Sequence, residues 1–280
     1  MSTMRIGASV VEKLERWFIR RRDYYASMGR LWDAVHLGRW IRGAMRFAWY
    51  ATQSIAYCRE DNYPFTESAN LDSYITATTN GAPYLEHGAA RYLQMADAAW
   101  QEAPSGSYQG LVWWTWARTG QEVGTDRYIV SKWDYGNNRR SWCMRKNGGT
   151  RFLEFGTSVD GTAEVWVTDT VAVTDYTWYF VGATWARSTP GGQVIWVGTP
   201  DMAVLRETVN PAVCQATLYN GNEELLIGAA LNAGAAANIW RGYTSTVHMR
   251  FPDTGGLVLV PNSRQYLAHV FQTTKWFYEA

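Results

Sequence analysis

From residue 82 onward the chain is cut into short runs in which apolar and polar residues alternate, and no stretch of helical period separates them. The runs read "ARYLQMA", "GLVWWTWAR", "RYIVSKW", "RSWCMRK", "RFLEFGT", "EVWVTDT", "TWYFVGATW", "QVIWVG", "LLIGAAL" and "YTSTVHMRF", with Gly, Asn, Asp and Pro clustered between them. Alternation sends successive side chains to opposite faces of a sheet, and punctuation at this spacing turns the chain back on itself. A parallel sheet needs a crossover after every strand, usually a helix, so the pattern predicts an antiparallel sandwich or a closed barrel. In "DRYIVSKWDYGNNRRSWCM" two such runs flank a turn, which predicts a hairpin over Tyr128 to Met144. Gly136, Asn137 and Asn138 tolerate positive φ at that turn, and the hairpin's tryptophans belong to a core.

The first 60 residues have a different character. Ser9 and Glu12 form a capping-box pair, after which Val10, Leu14, Trp17 and Phe18 recur at helical spacing. Leu31, Val35, Ile41, Met45 and Trp49 continue the pattern through Gly38 and Gly43, so two or three helices are expected over residues 9 to 57. Residues 1–50 hold ten Arg and Lys against four Asp and Glu, a charge of +6, and the remainder carries −5 within a chain of formal charge +1. The division expected is a basic helical arm over 1–60, a polar linker over 61–81 and a β-domain over 82–280. Arg16, Arg20, Arg21, Arg22, Arg30, Arg39, Arg42 and Arg46 line the polar face of the arm. They read as a solvated helix face, as an anchor on an acidic protein or nucleic acid, or as a membrane-surface helix.

The order of motifs after residue 82 resembles the laminin-G-like or concanavalin A-like jelly-roll domain. "GLVWWTWAR" is similar to the family's early strand with a tryptophan near its end, here Trp116. "YIVSKWD" followed by "NRRSWCM" resembles its most recognisable hairpin. "DYTWYFVGATW" matches a Trp-x-x-Val-x-x-Thr strand at Trp178, Val181 and Thr184, and "LLIGAA" followed by "WRGYTSTVHMR" matches the Ile-Gly strand and closing strand at Ile227, Gly228 and Gly242. The resemblance implies a mainly β antiparallel sandwich, to which the arm adds an N-terminal α-helical extension. It also implies a calcium position, because calcium-binding members use an aspartate and an asparagine where Asp126 and Asn220 stand, and hard oxygen donors suit Ca²⁺. Both residues are equally natural in turns.

Signals of catalysis are missing. The Glu-x-Asp-x-x-Glu strand of related glycoside hydrolases, whose retaining chemistry needs two carboxylates about 5 Å apart, does not occur. Nor do H-E-x-x-H, G-x-S-x-G after a strand, or a P-loop. His36, His87, His248 and His269 are scattered, and Cys58, Cys143 and Cys214 show no C-x-x-C spacing, so neither a metal cluster nor a disulfide framework is expected. Trp113 has the opposite parity to Val112, Trp114 and Trp116; it is either an exposed ligand-binding aromatic or packed under the N-terminal helices.

Cell-surface proteins with this module bind carbohydrate or protein, but they carry export signals and paired cysteines, which this sequence lacks. The expectation is therefore a non-catalytic phage-type virion protein, a capsid decoration or tail component present in many copies. It would assemble in the host cytoplasm, hold other virion proteins through its arm and display the jelly roll to a glycan or protein. The alternative is a free lectin-like module, with calcium as its one conceivable cofactor. A hydrolase whose site the sequence does not reveal is a third.

Overall fold

The computed structural model describes residues 110–121, 124–245, 247–250 and 256–279, together with 47–48, 66–67, 75–78, 83–88 and 91–97. The arginines of the basic arm and most of the helical region expected around them lie outside these residues. Where the two overlap the expectation fails: Phe47 and Ala48 form a strand that pairs with Met249 and His248.

The described strands are β1 (Phe47–Ala48), β2 (Thr66–Glu67), β3 (Ile75–Ala77), β4 (Pro83–His87), β5 (Leu93–Met95), β6 (Gly110–Thr119), β7 (Arg127–Asp134), β8 (Arg139–Lys146), β9 (Leu153–Ser158), β10 (Glu164–Thr168), β11 (Trp178–Ala186), β12 (Gln193–Gly198), β13 (Arg206–Asn210), β14 (Leu225–Ile227), β15 (Ala230–Asn232), β16 (Ala235–Ala237), β17 (Gly242–Thr244) and β18 (His248–Arg250). One helix, α1 (Gly256–Thr274), follows them and ends in a 3₁₀ turn over Lys275–Phe277. The first sheet runs β13-β12-β11-β6-β17-β4-β3, with β18 continuing the β17 side of β6 and β1 beside it. The second runs β10-β9-β8-β7-β14-β5-β2, with the β15–β16 hairpin attached to β7. Among the described residues pairing is antiparallel apart from a single parallel contact of Leu231 with Asp134 and an isolated bridge of Tyr128 with Ile239. The molecule is a two-sheet jelly-roll sandwich.

Side-chain parity builds its core. On β6, Leu111, Trp113 and Ala117 face the second sheet; on β11, Tyr179, Val181, Ala183 and Trp185 do the same. Trp142 and Met144 of β8, Phe155 of β9 and Val167 of β10 meet them from the other side. The predicted hairpin forms, with Asn138 at φ 54° in its turn and Asp134 Oδ2 accepting from Asn137 Nδ2 at 2.8 Å. Trp142 belongs to the inter-sheet core, whereas Trp133 is buried in a smaller cluster on the outer face with Tyr128, Cys143 and Ala230.

The opposite parity of β6, β11 and β12 is sealed by α1. Trp114, Trp116, Phe180, Val194 and Trp196 pack against Leu267, Val270 and Phe271 of the helix. Gly182 permits the approach, since a Cβ there would lie 3.2 Å from Leu267 Cδ1. This corrects two expectations. The chain does not continue in strands to its end, and Trp113 is neither exposed nor beneath a helix: it lies in the inter-sheet core, while Trp114 and Trp116 carry the helix.

Candidate functional site

Helix α1 runs along β6 in the direction of that strand. Trp114 Nε1 donates to Tyr266 Oη at 2.8 Å, and Trp116 Nε1 to Thr274 Oγ1 at 2.9 Å. Tyr278, just past the helix, stacks on Trp116 with centroids 4.5 Å apart. Two residues farther along β6 on the same face stands Arg118, beyond the end of the helix, where the outer face of the sheet carries a row of half-buried side chains.

Register defines this row. Trp178 of β11 lies opposite Arg118 of β6, Arg118 opposite Tyr243 of β17, and Tyr243 opposite Glu86 of β4. All four point outward, because their neighbours Tyr179, Ala117, Thr244 and Leu85 are buried. At the usual strand separation the row spans about 14 Å. Tyr84 completes it: its ring makes edge contacts with Tyr243 at 5.0 Å and Trp178 at 5.4 Å. Trp178 is wedged from below by Tyr278 at 4.8 Å. Arg118 holds its Cζ 5.5 Å from the centre of the Tyr243 ring and donates from Nε to the carbonyl of Tyr176 at 2.7 Å. Glu86 pairs with Arg91 at 3.1 Å. Aromatic faces interleaved with planar polar groups can hold a ligand that is apolar on its ring faces and polar at its edges.

Two other polar clusters are committed internally. On the outer face of the second sheet Arg145 stacks on Trp166 at 3.8 Å and bridges Asp126 Oδ2 at 2.7 Å and Glu154 Oε2 at 2.8 Å. Asn147 and Thr168 also donate to Glu154, and Arg140 and Trp166 Nε1 both reach Glu164. Beneath the end of the sandwich the fully buried Lys132 donates to Asp97 Oδ1 at 2.7 Å, to the Glu223 carbonyl at 2.8 Å and to the Gly221 carbonyl at 3.2 Å. Glu223 beside it has its carboxyl pushed up to about 7, chiefly by burial, and both oxygens are shut off from solvent.

The structure does not bring Asp126 and Asn220 together. Asp126 precedes β7, its oxygens accepting from Arg145 and, at 2.9 Å, from the Gly148 N–H. Asn220 is exposed at the other end of that strand: the neighbouring Tyr219 N–H donates to Ser158, and the Tyr219 ring lies beside Gly161 and the carbonyl of Asn138. An eight-residue strand separates the two by roughly 26 Å. Among the described residues no three His, Cys, Asp or Glu side chains gather as metal ligands. His87 and His248 are buried, and burial lowers both, His87 to about 4. The row escaped the sequence reading, although one signal was present: Arg118 is the charged residue that shares a face with Trp114 and Trp116.

No protein-family model and no curated protein matches the sequence. The fold does match solved structures. The binding domain of botulinum neurotoxin DC in complex with rat synaptotagmin II superposes with a TM-score of 0.55 at 10% identity, covering 83% of this chain and 52% of that one. The botulinum neurotoxin serotype G binding domain gives 0.54 at 10% identity, over 82% and 51%. A botulinum neurotoxin type C structure, whose cell entry depends on interaction with two ganglioside molecules, gives 0.52 at 12%, over 81% and 52%. The chain thus spans about half the length of these structures, and the likeness establishes the β-sandwich fold.

Proposed function

We propose that the chain is a non-catalytic binding domain that takes an extended saccharide on the row Trp178, Arg118, Tyr243 and Glu86, with Tyr84 beside it. The observation that carries this reading is the row itself: side chains over four strands that α1 stops short of covering, rings paired edge-on and polar groups between them. The carboxylates of the two other clusters, Asp126, Glu154, Glu164 and Glu223, are bound to arginine or buried, in keeping with a binding scaffold. That the matched neurotoxin structures are described with ganglioside molecules or with synaptotagmin II agrees with a sugar or protein ligand here.

The test is a glycan array probed with the full chain and with Trp178→Ala and Tyr243→Ala. Loss of one ring should weaken binding roughly tenfold, the order expected when an aromatic contact worth about 1.4 kcal/mol is removed. Unchanged binding by both variants sinks the assignment of the row.

A finer reading draws on the charge split between the first 50 residues and the rest. The chain is then a virion component of phage type, assembled in the host cytoplasm and present in many copies, with the basic arm as anchor and the jelly roll displayed. Its test is co-sedimentation of the full chain with a megadalton particle, compared with a chain lacking residues 1–46, which keeps β1. Two small soluble species would refute it.

A further inference from the structure

We infer that the saccharide carries carboxylate groups and that Arg118 reads them. The inference rests on the row being a saccharide platform and adds the chemical class of the ligand.

Several arginines of this fold are committed to acids. Arg91, Arg140, Arg145, Arg151, Arg206 and Arg264 each pair with a carboxylate. Arg118 has no such partner: its one hydrogen bond, from Nε to the Tyr176 carbonyl, leaves both Nη groups without a partner among the described residues. That bond also fixes the tilt of the guanidinium. Tyr176 has a left-handed backbone at φ 59°, and its own N–H is bonded to the Thr119 carbonyl at 2.9 Å, so the accepting carbonyl is held in place. With Nε anchored and aromatic neighbours on both flanking strands, the free edge of the fork is the Nη pair. A planar fork of two parallel donors matches a carboxylate bidentately, whereas a lysine would supply only a point charge.

The nearest acidic side chain along the row, Glu86, stands beyond Tyr243 and is held by Arg91. Among the described residues the row therefore offers one positive charge without a carboxylate partner, between two aromatic platforms, which suits a sugar acid whose ring faces stack while its carboxylate lies on Arg118. A nucleic acid fits less well, because a phosphate at every residue calls for a continuous basic groove and Glu86 would oppose it.

The experiment uses the full chain on an array of neutral, uronic-acid, methyl-esterified uronic-acid and sulfated oligosaccharides, with a single-stranded dT12 control. Arg118→Gln, Arg118→Lys and Trp178→Ala are run alongside, each checked for an unaltered unfolding temperature. Binding should concentrate on uronic-acid oligosaccharides and fall at least tenfold on methyl esterification or in Arg118→Gln. Arg118→Lys should recover only a minor part, and Trp178→Ala should lose binding to every glycan. Equal binding of neutral glycans, indifferent to Arg118→Gln but lost in Trp178→Ala, overturns this inference and leaves the platform standing. Preference for sulfated glycans overturns the carboxylate assignment, and tighter binding of dT12 overturns the saccharide. Absence of binding to any glycan overturns the inference and the platform together.

Discussion

Glu223 keeps only 2% of its surface exposed, and among the described residues neither carboxyl oxygen meets a side-chain donor. Burial raises its carboxyl to about 7 from an unfolded value near 4.5; nearby Asp97 adds to the rise, and Lys132 and Arg139 oppose it. A group that binds its proton more tightly when folded stabilises the fold below its unfolded pKa, and that stabilisation is lost as pH rises through the folded value. Wild type should therefore lose stability between pH 5 and 8, by an amount that Glu223→Gln removes. Melting curves of the two proteins should converge at pH 5 and separate by a few degrees at pH 8, with the variant the more stable. A second residue-scale device is His87. Its Nδ1 lies 3.1 Å from the Arg91 carbonyl, which can only accept, so Nδ1 carries the proton and Nε2 accepts from Thr244 Oγ1 at 2.6 Å. The ring lies against Gly228, where φ is 86° and a Cβ would come within 2.2 Å of Nδ1. Gly228→Ala meets both the backbone strain and the clash, and chemical denaturation should show a loss of at least about 2 kcal/mol.

Among the elements, α1 converts a tryptophan-rich sheet face from a liability into a second core. Phe271 is fully buried between Trp116 at 5.9 Å and Phe180 at 5.7 Å. Phe271→Ala should cost about 3–5 kcal/mol, measurable by denaturant titration. The helix was concealed in the sequence by its valine-rich start and by Pro261, residues that favour strands and breaks. Its second half does carry the helical signature, with Leu267, Val270, Phe271 and Thr274 spaced by three, one and three. The β7–β8 hairpin was legible because its turn chemistry and alternation are local. Arg118, Trp178, Tyr243 and Tyr84 were not legible as a site, because they come from four strands and only the register of β6, β11, β17 and β4 aligns them.

For the whole molecule, the sandwich was written in the alternation of its strands, while the order of strands in each sheet was not, since it depends on pairings between segments far apart in sequence. β6 is the clearest case: its partners on one side are β17 and β18, more than a hundred residues downstream. Because α1 packs on the same strand, helix and sheet should open together. Native-state hydrogen exchange should give the Leu267–Phe271 amides the same protection as those of Trp113–Ala117; faster exchange of the helix alone would show that it is an independent unit.

The two sheets are also joined directly along one flank. Gln193 Nε2 donates at 3.1 Å to the carbonyls of Phe155 and Val165 on the facing sheet, and Arg206 of β13 grips Asp169 beside β10 through two hydrogen bonds. These bonds act as rivets that hold the two layers in register along β10 and β13. The proposed row runs from the middle of the sheet toward β4, which His87 ties to the far side of the sandwich through the Arg91 carbonyl and its seat against Gly228. A ligand lying across the row would act as a further clasp, this time within one layer, joining β11, β6, β17 and β4 on their outer face.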